Sequence, residues 1–229
     1  MLSDAQLVAL VDEHVDTPVP VGGADLLLIG SRAEGFADAG SDYDLIALTT
    51  ADDGRPERTV TLSHGTADVS VTILGPSALT RREESGDFAD WAYDISHGRL
   101  IRGDGDVGGA YRRHVAALWR SRRPAEITAW RAAADRAVRR AASAQRHSEN
   151  LAAYLLAAAA ATAVLKLVVA VQEIGRPNDK WLPRVAVRLV PHGPAAVEIA
   201  DRLALAQPSA AAVEDCLDRL RNLLKELAT

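Results

Sequence analysis

Positions 151–171, LAAYLLAAAAATAVLKLVVAV, restrict the fold more than any other stretch of the chain. A helix that is apolar on all sides must lie in a protein core or in a bilayer. The run is long enough to span a membrane, but alanine drives insertion weakly. Lys166 inside it would cost about 2.5–3.5 kcal/mol at the centre of a spanning helix. The expectation is therefore a core helix wrapped by other helices, with no membrane partner. The flanking sequence supplies the wrapping. Positions 107–122, 124–149, 180–190, 194–206 and 209–227 read as helices, separated by Arg123-Pro124, Gly175-Arg176-Pro177, Pro191-His192-Gly193-Pro194 and Gln207-Pro208. Pro124 and Pro194 stand where a first-turn proline is tolerated.

The first 105 residues have a different texture: short apolar runs punctuated by Gly, Asp and Ser. Positions 26–29, 43–48 and 58–62 read as strands, the last ahead of the turn residues His64 and Gly65. Positions 67–74, ADVSVTIL, alternate strictly, with Ala67, Val69, Val71 and Ile73 on one side and Asp68, Ser70 and Thr72 on the other. That period of two marks a half-buried strand. Gly75-Pro76 ends it, 77–97 reads as one helix, and 99–102 as a last short strand. The expected fold class is α+β: a small mixed-sheet domain over 1–105, followed by an all-helical bundle over 106–229.

Composition bounds the function. Among 229 residues, 26 are basic and 31 acidic, a net charge of −5. A protein that coats duplexes needs a concentrated positive field, so nucleic acid is not an expected partner, although local basic patches stay open. A lone cysteine, Cys216, excludes an intrachain disulfide framework and a cysteine zinc site. The N-terminus MLSDAQLVALVDEH lacks the basic and apolar regions of a signal peptide. A cytoplasmic location is expected.

The chemistry-bearing segment is 30–48, GSRAEGFADAGSDYDLIAL. It opens where a buried strand ends in Gly30-Ser31. A strand-to-helix corner exposes backbone N–H groups suited to phosphate; Gly30 permits close approach and Ser31 adds a hydroxyl or caps the next helix. Arg32 either reaches a bound triphosphate or lies in solvent. Asp42-Tyr43-Asp44 follows eleven positions after Ser31 and runs into Leu45-Ile46. Residues two apart in a strand point to one side, so two carboxylates project together and repel unless a cation lies between them. A hard divalent ion with oxygen ligands, magnesium, is the natural partner. Asp68 rises from the polar side of the alternating strand. If that strand neighbours the Asp42–Asp44 strand, three carboxylates converge beside a phosphate-holding turn, as a two-metal site for phosphoryl or nucleotidyl transfer requires.

This string, with Asp68 on a later strand, resembles the signature of the DNA polymerase β-like nucleotidyltransferase superfamily. The resemblance implies a minimal mixed sheet with helices on one face. It also implies transfer of a nucleoside monophosphate from ATP or another NTP, with two Mg²⁺ ions and release of pyrophosphate. By position, Asp42 and Asp44 resemble the pair that bridges both metals. Asp68 resembles the third ligand, near the acceptor, and Gly30 and Ser31 the residues that hold the terminal phosphates. A compact catalytic domain followed by an Ala-rich bundle is similar to the small-molecule enzymes that modify aminoglycosides and lincosamides. The segment 175–184, GRPNDKWLPR, is similar to a Lys-Trp-Leu segment in some of them.

The implied reaction is adenylylation of a hydroxyl on an antibiotic or natural-product intermediate, in a cleft between the domains. Two alternatives are an antitoxin-like enzyme acting on a protein or RNA partner, and a non-catalytic nucleotide-binding descendant. Lys180 is the candidate triphosphate contact in the second half. Trp181 either stacks on a base or packs between helices, and Lys166, in an apolar helix, needs a partner or snorkels to the surface. Glu149 is an alternative to Asp68 as the base that deprotonates the acceptor. The clusters Arg136–Arg139–Arg140 and Arg120–Arg122–Arg123 read as solvated faces, with contact to nucleic acid as the lesser alternative. His64, His97, His114, His147 and His192 show no metal-ligand spacing, and a homodimer stays open.

Overall fold

The computed structural model describes residues 1–15, 23–51, 54, 57–172, 175–189, 191–204 and 209–228. The chain divides into two compact units, Met1–Trp119 and Arg120–Thr229.

The first unit begins with α1 (Asp4–His14), started by a capping box in which the Gln6 N–H donates to the Ser3 hydroxyl and the Ser3 N–H donates to the Gln6 side chain. β1 (Asp25–Ile29) follows, then the single turn α2 (Gly30–Ala33), β2 (Tyr43–Leu48), β3 (Arg58–His64) and β4 (Ala67–Leu74). Next come α3 (Pro76–Glu84), α4 (Phe88–His97), β5 (Arg99–Arg102) and the start of α5 (Asp106–Arg146), whose residues from Arg120 on belong to the second unit. The strands form one mixed sheet in the order β3-β4-β2-β1-β5. Among the described strands, only β2 and β4 run parallel. The chain passes from β2 to the edge strand β3, turns at Gly65 with a φ of +64°, and returns as β4 between the two.

Both faces of the sheet are covered, not one. Leu26, Leu28, Tyr43, Leu45, Val69 and Val71 pack with Leu7, Leu10 and Val11 of α1. On the opposite face, Leu27 and Ile29 lie against Gly98 at the end of α4. The reason is visible in β1: Leu26, Leu27 and Leu28 are consecutive and all buried, and a continuous apolar strand needs cover on both sides.

The expected single helix over 77–97 is two helices, α3 and α4. The break follows from Ser85-Gly86-Asp87: the Ser85 hydroxyl donates to the Arg82 carbonyl at 2.6 Å and also pairs with Asp87, which Arg82 grips. These side chains compete with the backbone ladder. Conversely, the two helices expected on either side of Pro124 are one 41-residue helix, α5. Pro124 is exposed, so the helical hydrogen bond that its missing N–H forgoes is lost on a side open to water; the Thr128 hydroxyl donates to its carbonyl at 2.8 Å.

In the second unit, α6 (Asn150–Gln172) packs with α7 (Leu182–Ala186), α8 (His192–Ala204) and α9 (Ala210–Glu226). Its small buried residues Ala153, Ala157, Ala160 and Ala161 permit close approach, and Val164, Leu165, Leu167 and Val168 fill the remaining space. By length and composition α6 could cross a membrane. Its first two turns depart from the expected core helix, because Leu151 and Leu155 are 70% and 57% exposed. Ser209 caps α9 by accepting from the Ala212 N–H at 3.2 Å.

Candidate active site

β1 ends at the corner the sequence suggested. Gly30 adopts a φ of +66°, a left-handed conformation that favours glycine. A Cβ there would also lie 3.1 Å from Oδ2 of Asp44. The helix that opens is only four residues long, too short to sum a useful dipole. What the corner offers is backbone N–H groups and the Ser31 hydroxyl. Ser31 is 5% exposed and does not cap the turn, since the N-cap position belongs to Ile29.

The loop that returns to β2 is organised by Asp38. Its carboxylate accepts from the Gly40 N–H and the Ser41 hydroxyl, both at 3.0 Å. The Ser41 hydroxyl first, and the Gly40 N–H second, hold the Asp38 carboxyl below the usual range. Arg32 is engaged rather than free. Its Nε donates to the Asp42 carbonyl at 2.9 Å, another guanidinium nitrogen donates to the Ser41 carbonyl, and the group stacks 3.8 Å over the Tyr43 ring. Arg32 therefore fixes the backbone from which Asp42 projects.

Parallel pairing sets Tyr43 opposite Val69 and Asp44 opposite Ser70. The preceding step of that register puts Asp42 level with Asp68. Both line a cavity of about 410 Å³, together with Arg32, Tyr43 and His64. Asp68 is exposed, and one of its oxygens accepts from the Ser63 hydroxyl on β3 at 2.9 Å. Asp44 is half-buried against Gly30 and does not line that cavity.

The neighbour of Asp44 that the sequence reading missed is Asp94, on α4. Burial first, then the negative charges of Asp90, Asp44 and Glu34, push its carboxyl up to about 7; His97 acts in the opposite direction. Asp94 lines a small recess with Gly30, Glu34, Tyr93 and His97. The Tyr93 hydroxyl donates to Glu34 at 2.9 Å, and the Tyr93 ring stacks on His97 with centroids 4.1 Å apart. A signal was available: Asp90 and Asp94 are a like-charged i,i+4 pair, which costs helix stability unless something else fixes it.

The sign of the resulting pH dependence follows directly. Asp94 keeps in the folded state a proton that the unfolded chain releases near its ordinary value of 3.8. Stability contributed by this group is thus present below about pH 4, falls as pH rises through its folded value near 7, and is level above it. Asp94→Asn is expected to raise the melting temperature at pH 8 and to leave it nearly unchanged at pH 4, a difference of up to about 4 kcal/mol. Parallel pH profiles for parent and variant would refute the assignment.

Among the described residues, no three His, Cys, Asp or Glu side chains are gathered closely enough to hold a metal ion. The donor chemistry still suits magnesium. Asp42 and Asp68, both exposed carboxylates, line one cavity. Magnesium commonly keeps several waters and takes one or two carboxylates alongside substrate phosphates.

The remaining candidates belong to the second unit. Lys180 is exposed in the turn before α7, its ammonium 4.9 Å from the Trp181 ring centre. Trp181 is half-buried at the N-cap of α7. Lys166 has the partner it needs: Nζ donates to Asp179 at 2.8 Å and sits 4.8 Å over the Trp130 ring. Glu149 is exposed in the turn between α5 and α6. Of the second arginine cluster, Arg123 donates to the Ala170 carbonyl at 2.9 Å and is half-buried, not a solvated residue.

The chain is similar in structure to a nucleotidyltransferase-like protein from Exiguobacterium sibiricum 255-15, with a TM-score of 0.51 over 97% of this chain and 74% of that one. The fold is nucleotidyltransferase-like. Sequence identity to that structure is 15%, so the likeness is one of fold. No protein-family model matches the chain, and no curated protein matches it.

Proposed function

We propose that this protein is a Mg²⁺-dependent nucleotidyltransferase that moves AMP from ATP onto a hydroxyl of a small molecule, such as an antibiotic or natural-product intermediate, and releases pyrophosphate. The observation that supports this most is the β2–β4 register, with Asp42 level with Asp68 at a cavity and Asp44 beside the Gly30-Ser31 corner. Asp42 and Asp68 would hold the metal from the cavity they share, and Asp44 would join them by turning its carboxylate away from Gly30, since the three are not gathered in this structure. When bound, the metal would offset their mutual repulsion and the negative charge of the triphosphate.

The chain's own groups have distinct parts in this scheme. Backbone N–H groups at Gly30-Ser31 and the Ser31 hydroxyl receive terminal phosphate oxygens. Arg32 keeps the Ser41–Asp42 backbone fixed, which holds the Asp42 carboxylate in position. The acceptor oxygen forms a bond to the α-phosphorus as the bond from that phosphorus to the bridging oxygen breaks. The hydroxyl proton passes to Asp68, an exposed carboxylate at the cavity that accepts from the Ser63 hydroxyl.

Calorimetric titration with each of the four NTPs, with and without Mg²⁺, tests the scheme. The expected result is magnesium-dependent binding of ATP in preference to the other three. If no NTP binds, and pooled hydroxylated acceptors release no pyrophosphate from any NTP, the proposal fails.

A further inference from the structure

The C-terminal half of α5 carries a feature that nucleotidyl transfer does not use. Arg136, Arg139, Arg140, Arg146 and His147 are all exposed, with the half-buried Ser143 among them. At roughly 3.6 residues per turn these six positions fall within an arc of about 120° and extend for about 16 Å along the helix. Among the described residues, none of the four arginines has an ion-pair, hydrogen-bond or ring partner. Asp135 borders the arc and makes no ion pair with it. Elsewhere arginines are committed: Arg99 to Asp4, Arg102 to Asp12 and Arg219 to Glu198. Like charges three and four residues apart repel on a helix surface, so the stripe adds nothing to the fold that carries it. It also concentrates positive charge in a chain whose net charge is −5.

We infer that this face of α5 docks the phosphate backbone of a nucleic acid. Guanidinium groups match phosphate oxygens bidentately, and four of them along about 16 Å can follow successive phosphates of one strand. Two other anionic partners fit less well. A protein interface needs a desolvated apolar centre with aromatic or other large anchors, and the uncharged positions on and beside this arc are Ser143 and alanines such as Ala132. An anionic membrane surface is gripped by basic residues together with large apolar side chains on the same helix; the exposed Leu151 and Leu155 belong to α6. Phosphate-backbone binding runs on charge and counterion release, with no apolar anchor required.

The test uses the full chain and fluorescence anisotropy with two labelled probes: a mixed-sequence single-stranded RNA of about 20 nucleotides, long enough to cover all four arginines at the phosphate spacing of a single strand, and a polyglutamate peptide of equal charge. Four arginine–phosphate contacts give a slope of log K against log salt near −2.8, hence about 50-fold weaker RNA binding at 200 mM than at 50 mM salt. Substituting Arg136, Arg139, Arg140 and Arg146 together with Ala should weaken RNA binding at least tenfold at 50 mM salt and flatten the slope. Substituting all four with Lys should keep the slope. Circular dichroism checks that each variant is folded. If the fourfold variant is not folded, the pairs Arg136→Ala with Arg140→Ala and Arg139→Ala with Arg146→Ala replace it, each expected to halve the slope. Three results would overturn the inference: no RNA binding at 50 mM salt, RNA binding that the alanine variants retain, or polyglutamate binding as tight as RNA and lost in the same variants.

Discussion

Asp44→Asn is expected to lower pyrophosphate release by more than about a hundredfold while leaving the fold at least as stable as the parent. The first half of that expectation follows from coordination chemistry. Removing groups that merely orient a metal ligand costs 10–100-fold in affinity or activity, and replacing a ligand carboxylate with a neutral amide removes more. The second half follows from the surroundings of Asp44. Asparagine keeps the shape that fits beside Gly30, where a Cβ would lie 3.1 Å from Oδ2 of Asp44. It also removes one of the negative charges that push the Asp94 carboxyl upward. Less repulsion is left in the folded state, so the melting temperature at pH 8 should rise. A pyrophosphate assay and a thermal melt on the same preparation separate the two parts. Activity within threefold of the parent would remove Asp44 from the metal-binding set. A lower melting temperature with lost activity would make Asp44 a structural residue instead.

How much of this was legible in the sequence depends on how local each cause is. The alternation in ADVSVTIL and the aliphatic runs at 26–29 and 43–48 marked β4, β1 and β2, because burial on one or both faces leaves a period in the residues themselves. The register that sets Asp42 level with Asp68 is not in either strand alone. It is fixed by β4, the second strand of the β3–β4 hairpin, returning between β3 and β2. Helix α1 went unread although Ser3 and Gln6 spell its capping box. Pro124 looked like a helix start because proline at a first turn and exposed proline inside a helix are identical as letters; only the side facing water distinguishes them. Arg32 reads in the sequence as either a triphosphate contact or a solvated side chain, and its commitment to Ser41, Asp42 and Tyr43 exists only once the loop has closed. Asp94 is hidden for a related reason: its raised pKa comes first from burial in the folded chain, then from Asp90 on its own helix and from Asp44 and Glu34 elsewhere.

The least legible residue is Asp25, and it supports the largest expected loss of stability. It is a carboxylate at the start of a central strand, 2% exposed, and its donors lie some eighty residues away. The Gly108 N–H donates to Oδ2 at 2.7 Å and the Gly105 N–H to Oδ1 at 3.3 Å, so the Asp25 carboxylate satisfies free N–H groups at the start of α5. Gly103 makes room for this arrangement. Its φ is +106°, and a Cβ there would lie 1.8 Å from Oδ1 of Asp25 and 3.1 Å from its Cα. Because the Cα cannot swing aside, Gly103→Ala must move the turn before α5 or expel the carboxylate from its donors. Backbone strain of about 1 kcal/mol, together with charged hydrogen bonds worth about 1.5–3 kcal/mol each, gives an expected loss of about 3–5 kcal/mol. For a chain of this size that lowers the first melting transition by about 10 °C. Asp25→Ala alone should also destabilise, since it strips α5 of its cap, but it removes the carboxylate atoms that the methyl group introduced by Gly103→Ala would strike. The double variant Asp25→Ala with Gly103→Ala should therefore lose clearly less than the sum of the single losses. Strict additivity, or a Gly103→Ala protein melting within about 2 °C of the parent, would mean that the glycine and the carboxylate are not packed as described and that α5 is anchored by other contacts.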